Sequence, residues 1–185
     1  MSKLQFLTDK RIALAVCGVT TAFKSGCLVE ELRQLGADVQ VILTNEASKY
    51  VSPITFERIS GNKVLEEGNE PEESNQSPEL PDIELLIIAP ASFSLMGKLA
   101  SGLGRDFLSE FASTIDVPVI LAPSINQKLY SSQASRSHVE KLKELGFTVV
   151  EPESWITDDR TDGDLPLTFG PDKIIDRARG IIQER

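Results

Sequence analysis

The sequence predicts a doubly wound α/β protein built on a buried parallel sheet. Three observations carry that expectation. Leu85 to Ala89 is a continuous apolar run, the pattern of a strand covered on both faces. Further apolar runs at Arg11–Cys17, Val39–Thr44, Val117–Ala122 and Phe147–Val150 alternate with helical patterns, which is how parallel sheets with crossover helices read. The stretch Leu-x-x-Leu-Gly-x-x-Val-x-Val at residues 32–41 returns, less strictly, at 142–150, so one helix-to-strand turn is used twice.

Composition bounds the rest. A chain of 185 residues, 41% apolar and 25% charged, suits a single soluble domain over residues 1–185. A net charge of −9 argues against nucleic acid as a partner, because phosphate backbones need basic surface. It leaves room for a local anion site made of backbone N–H groups. Cys17 and Cys27 are too few for a disulfide framework and read as buried thiols of a reducing cytoplasm. No apolar run reaches membrane-spanning length and no secretory segment leads the chain. One histidine and no paired cysteine motif leave no expected metal site.

Taken in order, residues 1–10 read as a loose leader. After the first strand, Gly18-Val19-Thr20-Thr21 is a turn with Thr20 or Thr21 as the expected N-cap. A helix follows to Leu35 with Leu28, Leu32 and Leu35 on one face, and Gly36 stands past its end. Residues 11–44 thus form a right-handed β-α-β unit. A single glycine in its turn is far from G-x-G-x-x-G, so the dinucleotide fingerprint is absent. Thr44 or Asn45 is expected to cap a short helix, and Thr55–Ser60 a second one. Residues 61–82 hold seven acidic residues and three prolines, and read as a mobile surface loop or lid.

Pro90 is expected to stop the central strand, since it has no N–H for a ladder. Ala91, Ser92 and Ser94 then lead into a helix with Leu95, Met96 and Leu99 apolar. A buried strand, a small-residue loop and a fresh helix N-terminus make the usual anion position of an α/β sheet. Asp106–Thr114 reads as a helix, Pro123-Ser124-Ile125-Asn126 as a second strand-then-proline loop, and Ala134–Leu145 as a helix closed by Gly146. A polar flap over 151–170 and a final amphipathic helix opened by Pro171 complete the chain.

Four stretches carry a family resemblance: Val16-Cys17-Gly18-Val19-Thr20-Thr21-Ala22-Phe23-Lys24, Thr44-Asn45-Glu46-Ala47-Ser48-Lys49-Tyr50, Ala89-Pro90-Ala91-Ser92-Phe93-Ser94-Leu95-Met96-Gly97-Lys98-Leu99-Ala100-Ser101-Gly102, and Pro123-Ser124-Ile125-Asn126-Gln127-Lys128-Leu129-Tyr130. In this order they resemble the flavin-containing cysteine decarboxylases, the group of phosphopantothenoylcysteine and lantibiotic-type peptidyl-cysteine decarboxylases. The resemblance implies a flavodoxin-like, three-layer fold and FMN as cofactor. It implies a homotrimer, or a higher assembly of trimers, with flavin near a subunit interface. The implied cofactor residues are Gly18, Val19, Thr20, Thr44, Ala47, Ala89, Pro90, Ser92, Ser94 and Leu95. Asn126 is the implied catalytic residue, holding a substrate carboxylate or amide. The implied substrate is a small thiol-carboxylate or a peptide C-terminus, oxidised at its thiol and then decarboxylated to an enethiol.

The chain departs from the family pattern at its chemistry. The family places a histidine about seven residues before the central strand, where Gln76 or Ser77 stands here. Neither is a general base near neutral pH. Residues 151–170 lack the flap cysteine of the phosphopantothenoylcysteine enzymes, Ile125 and Tyr130 replace the motif's Met and Trp, and Arg105 replaces an acid. His138, the sole histidine, falls on a later helix. Lys24 and Lys98 read as solvated helix positions that could offset phosphate charge, and Trp155 as a flap residue packing on the sheet edge or covering a ligand. Two functions follow as expectations: an FMN-dependent decarboxylase with an altered catalytic set, and a flavin-binding regulatory or assembly subunit that does not decarboxylate. An α/β protein binding another anion and no flavin ranks below both.

Overall fold

The computed structural model of the protein describes residues 5–68, 82–154 and 166–184. A six-stranded, all-parallel sheet forms its centre, in the order β3-β2-β1-β4-β5-β7. These strands are β1 (Arg11–Val16), β2 (Asp38–Leu43), β3 (Leu65–Glu66), β4 (Leu85–Ala91), β5 (Val119–Pro123) and β7 (Thr148–Val149). Without the two-residue edge strand β3, the order by sequence is second, first, third, fourth, fifth, which is the flavodoxin-like winding.

Strand alternation sorts the core into two layers. From β1, Ile12, Leu14 and Val16 join the cluster covered by α1 (Ser25–Gln34), α2 (Pro53–Ser60) and α7 (Pro171–Gln183). Ala13, Ala15 and Cys17 face the opposite cluster, under α3 (Phe93–Ala100), α4 (Phe107–Thr114) and α6 (Gln133–Glu144). The expected three-layer architecture is therefore present.

The repeated turn has a common geometry. Gly36 (φ 99°) and Gly146 (φ 91°) are left-handed, and each follows a helix end whose last carbonyls are closed the same way. Ala37 and Gly36 donate to Leu32 and Arg33, and Phe147 and Gly146 donate to Leu142 and Lys143. This is a Schellman motif at both places.

Three expectations change. Pro90 does not stop β4: the strand continues to Ala91 through a cis Ala89–Pro90 bond. Its pairing to β5 shifts between Ile88 and Ala91, so Ala89 and Ala91, two residues apart, enter opposite core clusters. A proline sits here without a missing ladder bond because the strand bulges at it. Neither Thr20 nor Thr21 caps the first helix. Val19 stands at the start of a 3-10 turn, Thr20–Lys24, with no side-chain cap, and α1 continues from it. Cys27 is exposed on α1, whereas Cys17 is buried as expected.

Element ends also move by one or two residues, and residues 61–68 are partly regular, since Leu65 and Glu66 add the edge strand β3. A second, antiparallel sheet lies beside the main one: β6 (Ile125–Asn126), β9 (Pro166–Thr168) and β8 (Glu153–Ser154), in the order β6-β9-β8. It ties both ends of the expected flap to the Asn126 loop through the pairs Asn126–Pro166 and Glu153–Thr168.

Candidate functional site

The sheet's topology fixes where a ligand belongs. The order in which strands are added reverses between β1, whose crossover leads outward to β2, and β4, whose crossover leads to β5 on the other side. The crevice beyond the carboxyl ends of such a strand pair is the binding position of open α/β sheets. The loops at that edge are pinned to one another. Cys17 N donates to Pro90 O at 3.1 Å, Thr44 N to Val16 O at 3.1 Å, and Ser124 N to Ala91 O at 3.0 Å. The four stretches singled out from the sequence therefore meet at one place.

Gly18 packs under the β2 loop. A Cβ built on it would run into the main chain and Cβ of Glu46, so the glycine is required for space between two loops of this chain. Thr44 Oγ1 accepts from Ala47 N and donates to Val16 O, both at 3.3 Å. Ser92 caps α3, its Oγ accepting from Leu95 N at 3.2 Å. Asn126 caps the short helix α5 (Gln127–Tyr130), its Oδ1 accepting from Leu129 N at 2.7 Å.

Exposure divides the expected residues. Thr20, Ser94 and Asn126 are exposed at the edge, and Gly18, Val19, Thr44 and Ser92 are half-buried. Ala47, Ala89, Pro90 and Leu95 are buried, and Ala89 O already accepts from Ser25 Oγ at 2.7 Å.

Beneath the crevice lies a buried hydroxyl network that sequence reasoning missed. Ser124 Oγ donates to Leu167 O at 3.2 Å and lies 2.7 Å from Thr21 Oγ1. With its hydrogen committed to the carbonyl, Ser124 accepts from Thr21. The first turn, the β5 loop and the returning flap strand β9 are thereby joined. The available signal was a second threonine in a turn that needs no cap.

Cys17 forms part of the floor. Burial pushes its thiol up to about 11, against hydrogen bonds with Ser92, while the carboxylates of Glu67 and Asp106 push the same way as burial. Glu67 reaches over from the end of β3, accepting from Asn45 N at 3.4 Å and Leu108 N at 3.5 Å. Burial alone would raise Asp106, but the Lys98 ammonium at 2.6 Å and the hydrogen bonds of Ser109 hold its carboxyl below the usual range. Lys98 is therefore committed to Asp106. Lys24 is lowered by burial, opposed by Glu153. Burial also raises Tyr130, with Glu151 adding to it.

His138 sits on α6 against α3, its ring 5.3 Å from that of Phe93. Gln76, Ser77 and Trp155 lie outside the described residues. Among the described residues no cluster of His, Cys, Asp and Glu could hold a metal ion, and no helix is long and apolar enough to cross a membrane.

The fold is shared with solved structures. MrsD from a Bacillus species superposes with a TM-score of 0.81 at 18% identity, covering 96% of this chain and 99% of that one. The FMN-binding protein AtHal3 gives 0.76 at 22%, covering 95% and 98%. A PPC decarboxylase mutant complexed with pantothenoylaminoethenethiol gives 0.74 at 23%, covering 92% and 96%. In sequence, the chain is 32% identical over 152 residues to the coenzyme A biosynthesis bifunctional protein CoaBC of Vibrio vulnificus, covering 80% of this chain and 38% of that protein. The Escherichia coli protein of the same name is 31% identical over 173 residues, covering 92% and 41%. The chain thus spans well under half the length of these relatives. The model of the Flavoprotein family matches residues 2–176, and the chain belongs to that family.

Proposed function

We infer that the chain forms an FMN-binding flavoprotein domain whose crevice receives a thiol-carboxylate of cysteine type. The observation that carries this reading is the convergence of Gly18–Thr21, Thr44, Ala89–Ser94 and Asn126 at the switch point between β1 and β4.

The residues fit the mononucleotide. The 3-10 turn at Thr20 begins without a side-chain cap; Val19 N and Ala22 N donate to Cys17 O and Val19 O, which leaves the N–H groups of Thr20 and Thr21 to meet a phosphate oxygen. Thr20 and Ser94 add exposed hydroxyls. Bound FMN would supply a two-electron acceptor for thiol oxidation.

Asn126 would orient the substrate. Its Oδ1 is held by the cap, which turns the two Nδ2 hydrogens outward, and an outward pair of donors is complementary to a carboxylate. Cys17, raised by burial, stays a neutral thiol at neutral pH, which disfavours it as a nucleophile.

A second reading, a flavin-binding subunit that does not decarboxylate, has its own support. His138 is the sole histidine, and its ring packs on Phe93 of α3 with Nδ1 buried, which favours a packing role for it over that of the family's base. For either reading a homotrimer, with flavin near a subunit boundary, is supported by an apolar face beside the crevice. Phe23, Tyr50 and Ile54 are 53%, 51% and 62% exposed, next to a 420 Å³ groove lined by Cys27, Phe56 and Ile59. A cytoplasmic location suits its two free cysteines.

The test is sequential. The purified protein is expected to take up FMN, with flavin absorption bands, and a protein that stays colourless in excess FMN overturns both readings. Carbon dioxide release from phosphopantothenoylcysteine or a cysteine-ended peptide, lost in Asn126→Ala with FMN still bound, selects the decarboxylase. Bound FMN without release selects the second reading.

A further inference from the structure

Two polar atoms on α6 are buried without a hydrogen-bond partner: Ser135 Oγ and His138 Nδ1. They stand three residues apart, on one face of the helix. Helical side chains lean toward the N-terminus, so the ring at 138 lies over the turn that carries Ser135. Ser135 is fully buried. The ring of His138 is wedged against α3: its centroid lies 5.3 Å from that of Phe93, and its Cε1 lies 3.2 Å from where a Cβ on Gly97 would stand. Phe93 and Gly97 are one turn apart, so the imidazole occupies the notch that Gly97 leaves open. Phe93 directly follows the cap Ser92 and precedes Ser94, two of the residues assigned to the cofactor.

Each buried atom supplies what the other lacks. A hydroxyl has a hydrogen to donate, and the unprotonated nitrogen of a neutral imidazole accepts one. Buried polar atoms are as a rule paired, directly or through an ordered water. We propose that Ser135 donates to His138 Nδ1 once its side chain turns about χ1 to face the ring. The pair fixes the neutral imidazole as its Nε2–H tautomer and locks the ring against Phe93. His138 is then a positioning residue for the first turn of α3. The consequence for FMN rests on the function proposed above, whereas the tautomer does not.

Two measurements separate them. In the flavin-free protein at mildly alkaline pH, the ¹⁵N spectrum is expected to show Nδ1 unprotonated, with its shift moved by Ser135→Ala. An Nδ1–H tautomer, or an Nδ1 shift indifferent to Ser135→Ala, overturns the pair even if FMN binds. In the second measurement, FMN affinity is followed through the cycle Ser135→Ala, His138→Phe and the double variant, with circular dichroism confirming the fold of each. Each single variant leaves one polar atom unpaired, and the double variant leaves none. The double variant is therefore expected to bind about fivefold more tightly than the two single losses combined would give. Additive losses, or no loss, overturn the positioning role. A wild-type protein that takes up no FMN overturns the functional reading and with it the positioning role, while the tautomer result still stands or falls by itself.

Discussion

Gly18 shows how much one position can be asked to do. Its backbone is not left-handed, so it is not glycine for conformational freedom. It is glycine because the main chain and Cβ of Glu46 fill the place of its Cβ. Gly18→Ala is expected to cost about 1–3 kcal/mol by forcing apart the β1 and β2 loops, and to weaken FMN uptake in parallel. Thermal unfolding and FMN titration measure the two. Glu46→Ala should not rescue it, because the overlap includes the backbone of residue 46. A Gly18→Ala protein as stable as wild type would show that the β2 loop yields.

At the scale of the element, α4 is the piece most dependent on one side chain. Asp106 accepts from Ser109 N at 2.9 Å, and the Ser109 hydroxyl accepts from Asp106 N at 3.3 Å, a closed capping box. The same carboxylate binds Lys98. Asp106→Ala removes cap and ion pair and should cost about 1 kcal/mol. Asp106→Asn keeps a competent cap and loses a partly exposed pair, so about 0.5 kcal/mol is expected. Because the folded carboxyl titrates below its unfolded value near 3.9, the folded state binds fewer protons in that interval. Its extra stability is present above the unfolded value and is lost as pH falls through the folded one. The difference between wild type and Asp106→Asn in urea unfolding should thus be full at pH 7 and vanish at the acid end of the carboxylate range. A constant difference would remove the ionic contribution.

For the whole molecule, the exposed face around Ile54 is the feature a monomer explains least well. If it is the subunit boundary of a trimer, Ile54→Asp places a charge in an apolar contact. Light scattering should then fall from three times 20.3 kDa to one, with FMN affinity falling in step because a wall of the site is lost. A wild-type protein that already runs as one chain at micromolar concentration would refute the trimer.

What the sequence determined by itself is the part governed by local periodicity. Continuous apolar runs marked β1, β2, β4 and β5 to within two residues, and Leu-Gly turns marked two helix ends. Motif order was enough to indicate the family and to gather Gly18, Thr44, Ser92 and Asn126 at one sheet edge. Tertiary structure decided whatever depends on what lies opposite a residue. Pro90 looked like a stop because it has no N–H for a ladder, and the bulge that accommodates it exists only against β5. Thr21 looked like a cap, yet its hydroxyl finds Ser124, 103 residues away. Cys27 shares apolar neighbours in sequence with Cys17, but helix rotation turns it to solvent. His138 read as a histidine on a helix face, and only the packing of α6 on α3 shows the notch at Gly97 that holds its ring.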